Sequence, residues 1–277
     1  MRTPRLEGLC SDGAKAGAAI SIAQPCDGIE RLQARFAGRA FAPHRHDTYA
    51  IGLTLSGVQT FGYRGAARYC LAGQCHILHP DERHDGAAGT DEGFSYRIVY
   101  VDPGLVQSAL GGRSLPFVAD PVVNLTDAQR RAMASVWMED DGADELSRTD
   151  LVTAVADLLL AASAEHAPPA SLALLQLELI RAKISARPAE RCAIAELERL
   201  SGLDRWSLAR QFRLAFGTSP SRFRTMRQLD MVRSMIRSGA ALADAALAAG
   251  FADQSHMSRQ FKRAYGLSPR RWATAVQ

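Results

Sequence analysis

The 277-residue chain has no run of about 18 apolar residues, so the sequence carries no membrane-span signal. It has no apolar stretch behind a basic start, and no secretory signal is expected. Cysteine is scarce and unpaired by pattern. Cys10, Cys26, Cys70, Cys75 and Cys192 are odd in number and contain no C-x-x-C, which argues for reduced thiols in a cytoplasmic protein rather than a disulfide framework. Ser-His-Asp patterning, a phosphate-binding loop and a dinucleotide fingerprint are all missing, and with them the commonest hydrolase, kinase and dehydrogenase readings.

What is present is an uneven charge. Residues 171–277 hold 18 Lys+Arg against 8 Asp+Glu, a net of +10, whereas residues 1–170 carry −6. A basic module joined to a non-basic one is the electrostatic outline of a polyanion-binding protein. The segmentation agrees. Residues 1–35 show little pattern and read as an arm. Between residues 36 and 101, short apolar stretches alternate with Gly-containing breaks: Tyr49–Leu55, Val58–Tyr63, Arg68–Leu71, His76–Leu78 and Phe94–Val101. That rhythm predicts a small antiparallel β-sandwich or β-barrel, and a β-barrel is the expectation carried forward. Thr126 with Gln129 forms a capping-box pattern opening a helix to about Trp137, and a second helix is expected over about 148–164. The domain so defined runs to residue 165, residues 166–171 (His-Ala-Pro-Pro-Ala-Ser) read as a linker, and residues 172–277 as helices throughout. The fold class is α+β in two domains.

The helical part repeats itself. Ser207–Phe223 aligns with His256–Trp272 at an offset of 49, sharing R-Q-F, A, G and S-P. In each copy a short apolar helix precedes a glycine turn and a longer helix, which is the helix-turn-helix layout. Leu208, Phe212 and Phe216 fall on one stripe at i, i+4 and i+8; Met257, Phe261 and Tyr265 do the same. Asp204 and Asp253 stand at N-cap positions, and Gly217 and Gly266 at C-terminal stops followed by proline. The opposite faces carry Arg205, Trp206, Ala209, Arg210 and Arg213 in one copy, and Gln254, Ser255, Ser258, Arg259 and Lys262 in the other. Arg and Gln match guanine and adenine edges bidentately, so these are candidate readers of double-stranded DNA. Arg222 and Arg271, at the turns that follow, are candidate phosphate contacts.

The run from Gly250 to Trp272 (GFADQSHMSRQFKRAYGLSPRRW) resembles the signature of the AraC/XylS family of bacterial transcription regulators. The resemblance is strong over residues 172–272. It implies a seven-helix domain whose long helix, about Pro220–Arg237, joins two DNA-reading units that meet successive major grooves. It also implies a homodimer and a sequence-specific regulator of promoters. Activation or repression is set by operator placement relative to RNA polymerase, a further expected contact.

In the N-terminal part, Gly38-x5-His44-Arg-His46-x10-Gly57 resembles the first cupin motif, and Gly73-x6-Pro80-Asp-Glu-Arg-His84 more loosely the second. The cupin pattern supplies two metal-binding histidines and a glutamate, but the glutamate position holds Ala50. Three readings of His44, His46 and His84 stand side by side: a metal site, the lining of a small-effector pocket, or structural polar residues. The missing carboxylate favours the second. The expected pocket is His44, His46, Tyr49 and His84, holding a small polar effector without metal or other cofactor. It also weighs against a metal-dependent oxygenase, so no enzymatic activity is expected. Cys70, Cys75, His76 and His79 are not expected to form a cluster, because alternation sends Cys75 and His76 to opposite faces.

Overall fold

A computed structural model describes residues 19–23, 27–138, 145–163 and 172–276. Among the described residues the N-terminal domain is a nine-stranded antiparallel sheet: β1 (Ala19–Ile22), β2 (Ile29–Phe36), β3 (Arg39–His44), β4 (Tyr49–Tyr63), β5 (Ala66–Leu71), β6 (Gln74–Leu78), β7 (His84–Ala88), β8 (Phe94–Val101) and β9 (Val122–Asn124). The main path runs β1-β2-β8-β4-β6-β9, and the far half of β4 carries a second layer in which β5 and β7 pair with it and β3 pairs with β7. The sheet is strongly folded over but open: the expected α+β fold with an N-terminal antiparallel β domain is present, and only the closure into a barrel is not. A second correction concerns the arm. Residues 29–35 belong to β2, paired with β8 from Ile29↔Val101 to Phe36↔Phe94. The expected linker, 166–171, lies outside the described residues.

β4 explains why the sheet folds over. It is read in the sequence as two strands broken near Gly57, yet it runs unbroken for 15 residues. Its register against β8 slips between Thr54 and Ser56, and Gly57 adopts φ +70°. A β-carbon there would lie 2.1 Å from the Gly93 carbonyl oxygen. The bulge bends the strand and lets its two halves serve two layers.

Two cores lie on the two faces. Tyr49, Ile51, Cys75, Ile77, Val99 and Val101 face outward onto α1 (Pro103–Ala109), α2 (Asp127–Met138) and α3 (Glu145–Ala162), meeting Val106, Met133, Val155 and Leu159. Phe36, Ala50, Phe61, Tyr63, Phe94, Tyr96 and Ile98 fill the concave side. Cys75 and His76 therefore face opposite ways, as alternation requires, and Gly52 gives the His76 ring room to lie across β4. The expected capping box of α2 is present: the Thr126 backbone N–H donates to Gln129 Oε1, and the Gln129 N–H donates to Thr126 Oγ1.

The C-terminal domain contains seven described helices: α4 (Leu174–Ala186), α5 (Ile194–Ser201), α6 (Arg205–Phe216), α7 (Pro220–Arg237), α8 (Leu242–Ala248), α9 (Gln254–Tyr265) and α10 (Pro269–Val276). α7 belongs to two cores at once. Phe223 packs with Leu177, Ile180, Leu197, Leu208, Phe212 and Phe216 of the first unit. Met226, Leu229, Val232 and Ile236 pack with Ala245, Phe251, Met257, Phe261 and Trp272 of the second. At 1.5 Å per residue this 18-residue helix is a rigid spacer about 27 Å long.

Candidate nucleic-acid interface and sensor site

In both units the longer helix is specified at each end. Asp204 accepts N–H bonds from Trp206 and Ser207 at 3.0 and 3.1 Å, and Asp253 accepts one from His256. Such caps satisfy orphan donors and add about 1 kcal/mol each. Gly217 and Gly266 close the helices at φ +71° and +72°, where any side chain would be strained. The apolar stripes are buried as expected: Leu208, Phe212, Met257 and Phe261 are fully enclosed, and the Tyr265 hydroxyl donates to Asp230.

The opposite faces reach solvent. Arg205, Trp206, Arg210, Arg213, Gln254, Ser255, Arg259 and Lys262 are exposed, and Ala209 and Ser258 partly so. Trp206, 74% exposed, is a large ring at the first turn of α6 with no core to fill. Arg205 is steadied by Glu198 at 3.1 Å. Arg222 is placed differently from the sequence expectation. Its guanidinium donates to the Arg45 carbonyl at 3.0 Å and lies 3.4 Å from Asp81, turned onto the N-terminal domain rather than toward solvent. Arg271 is half-buried.

That contact belongs to a long seam between the domains, which sequence reasoning missed. Along α7, Arg227 pairs with the buried Asp47 at 2.8 Å and Arg233 with Glu30 at 3.0 Å. Arg181 of α4 meets Asp102 at 2.6 Å, and the same carboxylate caps α1. The Arg45 N–H donates to the carbonyl of Arg263, and Leu267 packs into the concave core. Both C-cap glycines abut the partner domain: a β-carbon on Gly217 would lie 2.7 Å from Pro80, and one on Gly266 would lie 3.3 Å from His44. The two DNA-reading candidates thus stand with their C-terminal ends on the N-terminal domain.

Beneath Gly266 lie the three histidines. The β3–β7 pairing sets His44 directly opposite His84, and the turn after β3 brings in His46. Ring centroids are 4.3 Å apart for His44–His84, 4.8 Å for His46–His84 and 6.0 Å for His44–His46. Each Nδ1 donates to a backbone carbonyl two residues away: His44 to Ala42 at 2.8 Å, His46 to Thr48 at 3.0 Å and His84 to Glu82 at 3.0 Å. Burial pushes all three below the ordinary histidine value, and the neighbouring His44 adds to the effect on His46, which falls to about 3. Tyr100 packs edge-on to His46 at 5.1 Å. Tyr49 is not part of this group. It lies on the other face of β4 from Ala50, in the outer core beside His79. A half-open groove of about 940 Å³, lined by Phe41, Tyr63, Arg64, Tyr69, Glu82 and His84 among others, borders the cluster.

Residues 28–177 match the model of the AraC-like ligand-binding domain, and residues 197–275 that of a helix-turn-helix domain. The chain belongs to the AraC family. It is a helix-turn-helix transcription regulator with a ligand-binding N-terminal domain. An uncharacterized HTH-type transcriptional regulator of Bacillus subtilis, YbfI, is 22% identical over 237 residues, covering 80% of this chain and 84% of YbfI. ToxT from Vibrio cholerae O395, in a crystal structure with (E)-4-(8-methylnaphthalen-1-yl)but-3-enoic acid bound, shares the fold at TM-score 0.63 and 13% identity, over 90% of this chain and all of ToxT. Wild-type ToxT from strain SCE256, bound to an unsaturated fatty acid, matches at TM-score 0.61 and 13% identity, over 95% of this chain and 97% of that one. No helix among the described residues is long and apolar enough to cross a membrane.

Proposed function

We propose that this AraC-family regulator reads two successive major-groove segments of double-stranded operator DNA, one with α6 and one with α9, as a cytoplasmic homodimer without enzymatic activity. The observation that carries the reading is the pair of capped helices, each with an enclosed apolar stripe and a polar face, mounted on the two ends of α7. Arg205, Trp206, Ala209, Arg210 and Arg213 serve the first segment. Gln254, Ser255, Ser258, Arg259 and Lys262 serve the second. Arg271 clamps a phosphate, and Arg222 does so only in a state that frees it from Asp81. RNA polymerase is the natural further contact of a DNA-bound regulator.

The N-terminal domain, in this reading, holds a small organic effector in the groove beside His84, where Arg64 and Glu82 offer polar partners and Phe41, Tyr63 and Tyr69 apolar ones. The acids bound by ToxT are a precedent for that protein's fold. Occupancy reaches the DNA-reading helices through the seam. Selection of bound sequences from random DNA tests the assignment. Arg210→Ala and Arg259→Ala should each lose about 1–3 kcal/mol and relax preference at one position, as loss of a base contact does. Uniform weakening on all sequences would move that arginine among the phosphate contacts.

A further inference from the structure

We propose that His44, His46 and His84 form a three-imidazole site for a divalent transition-metal ion, built into the seam beneath the C-cap of α9. The proposal rests on the sensor reading of the N-terminal domain and specifies a ligand class for it. It does not require the organic effector.

The hydrogen bonds fix the chemistry. A carbonyl oxygen can only accept, so the ring nitrogen facing it must carry the proton. All three rings are thereby held as Nδ1–H tautomers by Ala42, Thr48 and Glu82. The three Nε2 atoms are then all lone-pair bearers. One ring nitrogen from each of the three residues lies within 4.8 Å of the other two, and the rings are almost wholly enclosed. His46 Nε2 is buried with no hydrogen-bond partner. A buried acceptor left without a donor is unfavourable unless something positive sits beside it. An N–H bond from each ring's far nitrogen to a backbone carbonyl is also the usual way a protein orients a metal-ligating histidine.

Size and charge narrow the occupant. Metal–nitrogen bonds of 2.0–2.1 Å in tetrahedral geometry require nitrogens about 3.3 Å apart, so a modest closing of the rings suffices. Three neutral imidazoles and no carboxylate suit zinc, nickel, cobalt or copper and are poor for magnesium and calcium. Ala50, fully buried on the concave face, leaves the glutamate position of the cupin pattern without an oxygen donor, so one coordination position stays open. The sequence expectation of a metal-free pocket rested on that missing carboxylate alone; the three clustered imidazoles outweigh it, because three protein ligands are a sufficient set for zinc. The site is roofed by the helical domain. Gly266 lies against His44, and the next residue, Arg45, donates its N–H to Arg263 in the last turns of α9. A metal that draws His44 inward therefore acts on the strand end that holds the second DNA-reading helix.

The test uses the full chain, stripped with chelator and titrated with zinc and, separately, cobalt(II) and nickel(II). One equivalent should bind, the melting temperature should rise, and His46→Ala and His84→Gln should each weaken binding roughly a hundredfold or more, since disturbing even an outer-shell partner costs 10- to 100-fold. If either variant melts below the metal-free wild type by so much that it is unfolded, the wild type alone decides. Long-range ¹H–¹⁵N spectra should show three Nδ1-protonated imidazoles whose Nε2 signals move on adding zinc. Absence of binding by the wild type, undiminished stoichiometry in folded variants, or Nε2 signals that stay put would each overturn the proposal. Operator binding measured in parallel keeps the two readings apart. Intact DNA binding without metal uptake sinks only the metal site, whereas failure of the wild type to bind any DNA in either form strikes the regulator reading itself.

Discussion

The Asp47–Arg227 pair gives the sharpest handle on the seam. Asp47 is almost fully enclosed, Arg227 is three-quarters so, and their 2.8 Å contact ties the turn after β3 to the middle of α7. Removing one partner of a buried ion pair costs about 3–5 kcal/mol, because the other charge is left without compensation. Here the loss is softened by Asp230, which lies 3.1 Å from the same guanidinium nitrogen and keeps Arg227 partly paired. We therefore expect Asp47→Asn to cost about 2–3 kcal/mol. At roughly 2–4 °C per kcal/mol for a chain of this size, the calorimetric transition should fall by about 4–12 °C. Arg227→Ala should cost more, since it strands Asp47 and also gives up the guanidinium stacked over Phe223 at 5.0 Å. Combined, the two substitutions should fall short of their sum by about 1–2 kcal/mol, the signature of a direct contact. Additivity within 0.3 kcal/mol, or a transition unmoved by Asp47→Asn, would refute the claim that α7 is anchored to the N-terminal domain through this pair.

Gly52→Ala would place a β-carbon 2.1 Å from the His76 ring, so it should destabilise the N-terminal domain by about 1–3 kcal/mol in a denaturant melt; a neutral outcome would mean His76 is free to swing away. Burial pushes His76 and His79 down to about 4, so the unfolded chain takes up protons first as pH drops. Their contribution is intact above about pH 6.5 and is lost toward pH 4, by about 1.4 kcal/mol each at pH 5.5. The cluster histidines, which burial holds neutral, add to the loss. Denaturant melts should therefore show the protein weaker at pH 5.5 than at pH 7.5; the reverse order would show that these rings are not buried neutral in the folded state.

The helical domain was readable almost to the residue because its signals are local. α6 and α9 begin after Asp204 and Asp253 and stop at Gly217 and Gly266, as the caps specify, and α7 occupies Pro220–Arg237, the bounds the AraC/XylS resemblance implies. β8 likewise occupies Phe94–Val101. What was missed depends on partners far along the chain. β7 is His-Asp-Gly-Ala-Ala, with no residue of strong strand preference; it is extended because β3 and β4 pair with it. β2 carries Glu30, Arg31, Gln33 and Arg35 among its apolar positions, and only the eight-residue ladder with β8 makes the alternation count. Tyr49 was misplaced against its own parity: it stands an odd number of residues from His44 and directly before Ala50 of the concave face, so alternation sends it to the outer core. The seam was invisible for the same reason. Asp47 and Arg227 stand 180 residues apart, and nothing in the local sequence of either names the other.

The central claim is that two helices on one rigid spacer read DNA together. It is tested most directly by an operator series in which five base pairs are inserted between the two half-motifs, with affinity for the full chain measured at one fixed salt concentration. Half-sites about 10 base pairs apart lie on one face of the duplex, and a half-turn insertion puts them on opposite faces. The account predicts that tight binding is lost and that what remains is the affinity of a single unit. Affinity unchanged by the insertion would contradict it.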